Sequence, residues 1–165
     1  MIYKDYLNSA RKHQHTCDVL IEKLDQLDSD NRMPDMFKYN SYLLNLYYLS
    51  GYIIECIVKY GIYDLLGHKK EVDIKELNKE GLTYKDIKHH EFESYTDHLN
   101  KRIHVYIPLI TNTKNIKKEI IKLYDGWNSS IRYSYFQCYY KRDHFREFYK
   151  YSKEILRIIS VYVGG

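Results

Sequence analysis

Apolar residues recur at steps of three and four along most of this chain, which is the helical period. Tyr6, Ala10, Cys17, Leu20, Ile21 and Leu24 follow it with charged residues between them, and predict a first helix over residues 3–28. Residues 27–34 read as loop chemistry, because Asp, Ser and Asn favour turns and Pro34 ends helical continuity. A second, long helix follows, capped by Asp35 or Asn40 and running to about Leu66, with Gly67 as its stop. Gly51 lies inside that helix, where a glycine marks close helix–helix approach.

Residues 68–88 are polar and broken by Gly81, and read as a loop with one short helical turn. The helical pattern resumes near His89 and runs to about Arg102. A short apolar piece, 105–110, contains Pro108. Beyond it Ile116, Ile120, Ile121 and Leu123 face inward while Lys114, Lys117, Lys118 and Lys122 face out. Residues 125–130 break that segment. A final helix is expected from about Tyr133 to Val161, with Tyr149, Ile155, Ile158 and Ile159 on its apolar side. There is no internal repeat, linker or shift of composition. The expectation is one domain over residues 1–165, an all-α up-and-down bundle of about five helices.

Composition agrees with that picture. The 165 residues are 44% hydrophobic and 29% charged, which suits a folded chain with a sizeable core. Two prolines and seven glycines are too few for a turn-rich β-sandwich. Residues 43–66 form the most apolar stretch, but Glu55, Lys59 and Asp64 lie within it. One such charge at mid-bilayer costs about 2.5–3.5 kcal/mol, so a buried central helix is expected and no membrane contact. The first residues lack the apolar run of a signal peptide. Cys17, Cys56 and Cys138 are odd in number and far apart, which argues against a disulfide framework and fits a reducing cytoplasm.

Tyrosine occurs 20 times, against one tryptophan and five phenylalanines. Together with abundant Ile, Lys and Asn this reads as codon bias, although tyrosine also supplies interface and base-stacking surface. The formal net charge is +4, below the imbalance of a dedicated nucleic-acid binder.

Phosphate-binding glycine loops, nucleophile elbows and HExxH pairs are lacking. His13 and Cys17 stand four apart and His89 adjoins His90, yet no second pair completes a tetrahedral zinc set, so neither a metal nor another cofactor is expected. Gly164-Gly165 reads as a frayed end rather than a conjugation tail. Lys141, Arg142, Arg146, Lys150, Lys153 and Arg157 alternate with Tyr139, Tyr140, Tyr149 and Tyr151. They form either a face that tracks a phosphate backbone or a solvated helix with internal pairs.

Three local patterns occur in order: Tyr48-Leu49-Ser50-Gly51-Tyr52-Ile53-Ile54-Glu55 continuing to Lys59, then His90-Glu91-Phe92, then Trp127 followed by Arg132-Tyr133. Together they resemble the HEPN family of small all-helical domains, over nearly the whole chain. The resemblance implies a cytoplasmic homodimer that binds nucleotide or RNA through Glu55, Lys59, His90, Trp127, Arg132 and Tyr133. It also implies a nucleotidyltransferase-like partner in a toxin–antitoxin or phage-defence setting. Glu55 and Lys59 lie one turn apart in an apolar helix and need partners, for which His90 and Arg132 are the candidates, with Trp127 closing the site. Lys59, His90 and Arg132 would then face an anionic ligand.

The ribonuclease members of the family carry Arg-x4–6-His, and no arginine here has a histidine at that offset. A metal-independent endoribonuclease, using His90 or His144 with Arg132 or Arg142, is therefore the alternative to a non-catalytic binding module. A protein-interaction scaffold is the third reading.

Overall fold

A computed structural model of the protein describes residues 1–30, 35–133 and 140–163. Among these the architecture is all-α apart from one small hairpin. The helices are α1 (Lys4–Ser29), α2 (Met36–Leu65), α3 (Tyr84–Ile87), α4 (Glu93–Asn100), α5 (Lys118–Asp125) and α6 (Arg142–Val163). The hairpin joins β1 (Asn78–Lys79) to β2 (Leu82–Thr83).

α2 is the centre. Its ends follow the chain chemistry: Asp35 accepts from the backbone N–H groups of Phe37 and Lys38 at 3.0 and 3.3 Å. At the other end Gly67 takes φ +60°, so its N–H reaches Asp64 O and that of His68 reaches Tyr63 O, closing the last turn. Between them α2 buries residues on every side from Ile53 to Ile62, as a helix enclosed by others must. Among the described residues no helix is long and apolar enough to cross a membrane.

α1 runs antiparallel to α2. Tyr3, at the start of α1, stacks on Tyr60 and Tyr63 near the end of α2, with ring centroids 5.6 and 6.1 Å apart. At the opposite end the Tyr39 hydroxyl donates to Asp28 at 2.9 Å. α6 covers α2 from the other side, where Phe145 and Phe148 meet the Tyr47 ring edge-on at 5.6 and 5.5 Å. The Tyr149 hydroxyl joins α6 to α1 by donating to Asp18 at 2.6 Å and to Gln14 O at 3.0 Å. The Tyr47 hydroxyl donates to Leu123 O at 2.6 Å and ties α2 to α5.

The sequence expectation is corrected at four places. The last helix begins at Arg142, not Tyr133, which ends a 3-10 turn spanning Ser129–Tyr133. Helix α4 begins at Glu93, four residues after His89, because the His89 carbonyl accepts from Lys59 at 2.6 Å and is withdrawn from a helix. Residues 68–88 are more ordered than a loop. Ile74, Leu77, Leu82 and Ile87 are buried there, and Glu80 and Gly81 both take positive φ in the two-residue hairpin turn. Finally, what approaches Gly51 is the Trp127 indole rather than a helix.

Ion pairs run along much of the basic face of α6. Arg146 bridges Asp25 and Asp28, Lys153 meets Asp18 at 3.4 Å, and Arg157 pairs with Glu154 at 2.7 Å. Arg142 lies 3.5 Å from Asp28 and 4.0 Å over the Tyr39 ring. Four of the six cations thus meet this chain's own carboxylates, as the reading of a solvated helix with pairs expects. Tyr139, from the same pattern, falls outside the described residues.

Candidate functional site

One stripe of α2 carries the site. Tyr48, Tyr52, Glu55 and Lys59 follow at steps of four, three and four, so they share a face. The lower part of that stripe is closed. Glu55 and Lys59 are 4% and 2% exposed at their side chains and pair at 2.8 Å. Lys59 then spends its remaining protons inward, on His89 O at 2.6 Å and over the ring of Tyr95 at 5.1 Å. The ammonium is satisfied by the protein, so Lys59 does not face a ligand as the sequence suggested. It anchors the 88–92 loop.

Glu55 has a second partner. His90 Nδ1 lies 3.0 and 3.1 Å from its two oxygens, while the imidazole is 53% exposed. A carboxylate opposite Nδ1 fixes the proton on that nitrogen and leaves Nε2 for solvent or ligand. Arg132 is not the third partner of this carboxylate, and that expectation is corrected too. The exposed Arg132 guanidinium lies 4.6 Å over the Tyr133 ring, near the Tyr48 side chain. Tyr133 itself is 74% exposed.

Trp127 lies beneath this surface rather than over it. Its indole N–H donates to Tyr48 O at 3.2 Å, and its ring stacks on Phe92 at 4.7 Å and 9°. Phe92 in turn stacks on Tyr124 at 4.6 Å. The edge of Trp127 meets Tyr52 at 5.1 Å and 90°.

Tyr52 is the residue that the sequence reading passed over. Its ring touches Tyr48 at 4.8 Å, His90 at 6.2 Å, Trp127 at 5.1 Å and His13 at 5.7 Å. Burial first, and then the interaction with the Tyr48 side chain, hold its phenol above the ordinary range. Burial, followed by the Lys12 charge, pushes the His13 imidazole below the usual histidine range, so this ring is neutral at pH 7. The signal was available: Tyr48 and Tyr52 stand four apart on the stripe that holds Glu55.

Two clefts flank the Trp127 wall. One, of about 610 Å³, has an aromatic floor of Phe92, Tyr124 and Trp127 under the carboxylates of Glu91, Glu93, Asp97 and Asp125. The other, of about 420 Å³, lies between Lys88, His89 and His90 on one side and Asn128, Ser129 and Ser130 on the other. The first is lined by four carboxylates, and the second by one, Glu91, beside Lys88 and two imidazoles. Among the described residues no group of three or more His, Cys, Asp or Glu side chains can hold a metal ion.

Cys17 and Cys56 lie behind the stripe, both buried. Burial pushes each thiol up to about 12. Raising the pH from 7 to 10 therefore ionises these thiols in the unfolded chain, near the usual value of about 8.5, but not in the folded one. Peptide mapping after iodoacetamide treatment at pH 8 is expected to find both unmodified in the native protein and both alkylated in urea. Cys138 lies outside the described residues.

No family model, curated protein or solved structure matches the chain.

Proposed function

We propose that the surface around Tyr52 binds RNA or a nucleotide and that the protein is a non-catalytic binding module. One observation carries this reading: Arg132 rests on the exposed Tyr133 ring beside Tyr48. A guanidinium and an open aromatic face, side by side, offer a phosphate contact and a base-stacking platform. His90 Nε2, on a ring oriented by Glu55, adds a polar contact. The closed Glu55–Lys59 pair is the foundation of the site rather than a ligand contact. The likeness to HEPN domains extends the proposal to a homodimer working with a nucleotidyltransferase-like partner, in toxin–antitoxin or phage-defence systems.

End-labelled RNA incubated with the protein in EDTA tests it, read by gel shift and for cleavage. The expected result is a shift without cleavage that weakens steeply as salt is raised. Arg132→Ala and Tyr133→Ala should each weaken it by about 5- to 150-fold, since one stacked base contributes about 1–3 kcal/mol. The Glu55–His90 contact favours a second reading, in which His90 acts as general base on a ribose hydroxyl. Cleavage that persists in EDTA and vanishes in His90→Ala would put the endoribonuclease first. With neither shift nor cleavage the site is an interaction scaffold.

A further inference from the structure

Resting on the nucleotide or RNA reading above, we propose that the cleft beside His90 is a phosphomonoester subsite, which takes a terminal phosphate of RNA or of a free nucleotide.

The cleft is donor-rich. Lys88, His89 and His90 line one wall, and Ser129 contributes a hydroxyl from the other. Ser130 is otherwise engaged, since both its N–H and its hydroxyl donate to Asn128 Oδ1. Three side chains, Lys88, His89 and Ser129, thus have protons to offer in a space of about 420 Å³. A single carboxylate, Glu91, shares the lining and also borders the acidic cleft. It faces one fixed cation and two imidazoles, so the balance favours an anion.

Both walls are held in place from beneath. His89 O is fixed by the buried Lys59 and His90 Nδ1 by the buried Glu55. Across the cleft, Asn128 follows directly on Trp127, which is clamped by Phe92 and Tyr48 O. Walls held in this way lower the cost of ordering the backbone on binding.

Phosphomonoester is favoured over phosphodiester by charge and by count. A monoester carries about −1.5 to −2 charges at pH 7 and three acceptor oxygens. An internal diester has one charge and two free oxygens, and both of its ester arms must leave the cleft. The position of the stacking residues points the same way. Ser129 and Tyr133 belong to one 3-10 turn, so cleft and platform lie roughly 6–8 Å apart along it. One nucleotide spans that interval from its terminal phosphate to its base.

The test is fluorescence anisotropy at fixed salt with two 3′-labelled RNA oligonucleotides of one sequence, one ending in a 5′-phosphate and one in a 5′-hydroxyl. AMP and adenosine serve as competitors. The proposal expects the 5′-phosphorylated RNA to bind at least tenfold tighter, or AMP to compete at least tenfold better than adenosine. The first result names an RNA end as the source of the phosphate and the second a free nucleotide. In Lys88→Ala/Ser129→Ala, whose changes lie outside the core, that preference should fall to about twofold or less. RNA binding with equal affinity for both ends, and no advantage of AMP, overturns the phosphate subsite and leaves the RNA reading standing. Binding of none of the four probes overturns both.

Discussion

Glu55→Ala lowers the unfolding free energy by roughly 3–5 kcal/mol, because it leaves the Lys59 ammonium buried without its carboxylate. For a chain of this size that is a drop in melting temperature on the order of 10 °C. The loss comes from Lys59, which is 2% exposed, and not from His90, whose half-exposed ring water can solvate. The double variant Glu55→Leu/Lys59→Met separates the two. With both charges gone, nothing buried is unpaired, and most of the lost stability should return. Urea unfolding followed by circular dichroism measures all three proteins. A double variant as unstable as Glu55→Ala would show that the pair itself, rather than the orphaned ammonium, holds the loop at His89.

Gly51→Ala is the second large effect. A Cβ at this position would lie 2.0–2.3 Å from three atoms of the Trp127 ring, which is impossible without displacement. The indole cannot tilt away cheaply, since Phe92 stacks on its face and Tyr52 meets its edge. Expelling it costs about as much as deleting a buried aromatic, roughly 3–5 kcal/mol. The chain has one tryptophan, so its emission reports this residue alone. A red shift of that emission is expected in the folded variant, and, on the proposed function, a weaker RNA gel shift as Asn128–Tyr133 lose their support. Unshifted emission with full stability would mean that α2 and the 3-10 turn separate freely.

Much of the frame was legible in the sequence because it is made of long periodic helices. Asp35, Gly67 and the inward positions of α2 carry local signals that tertiary contacts only reinforce. The pairing of Glu55 with His90 was also readable, since a buried carboxylate has to find a donor. Short elements were less so: the one helical turn expected within residues 68–88 has its counterpart in α3, but β1 and β2 hold two residues each, below the length at which a period can be recognised. The neutralisation of α6 was hidden for another reason. Its partners Asp18, Asp25 and Asp28 lie in the first helix, and no local pattern says that the two ends of the chain meet. Tyr52 was concealed by abundance. Among 20 tyrosines, the one at the centre of the site has no distinguishing neighbour until Tyr48 and Glu55 are placed on its stripe.

The central place of α2 also sets a timetable for synthesis. α1 precedes it and can close over one side as soon as both helices have emerged. The opposite side waits for α6, which lies ~80 residues further on and takes roughly 4–16 s to arrive at ~5–20 residues per second. During that interval the α2 surface that receives Phe145 and Phe148 has no cover of its own. The nascent chain is then a half-bundle whose uncovered apolar face closes only once the last helix is available to pack on it.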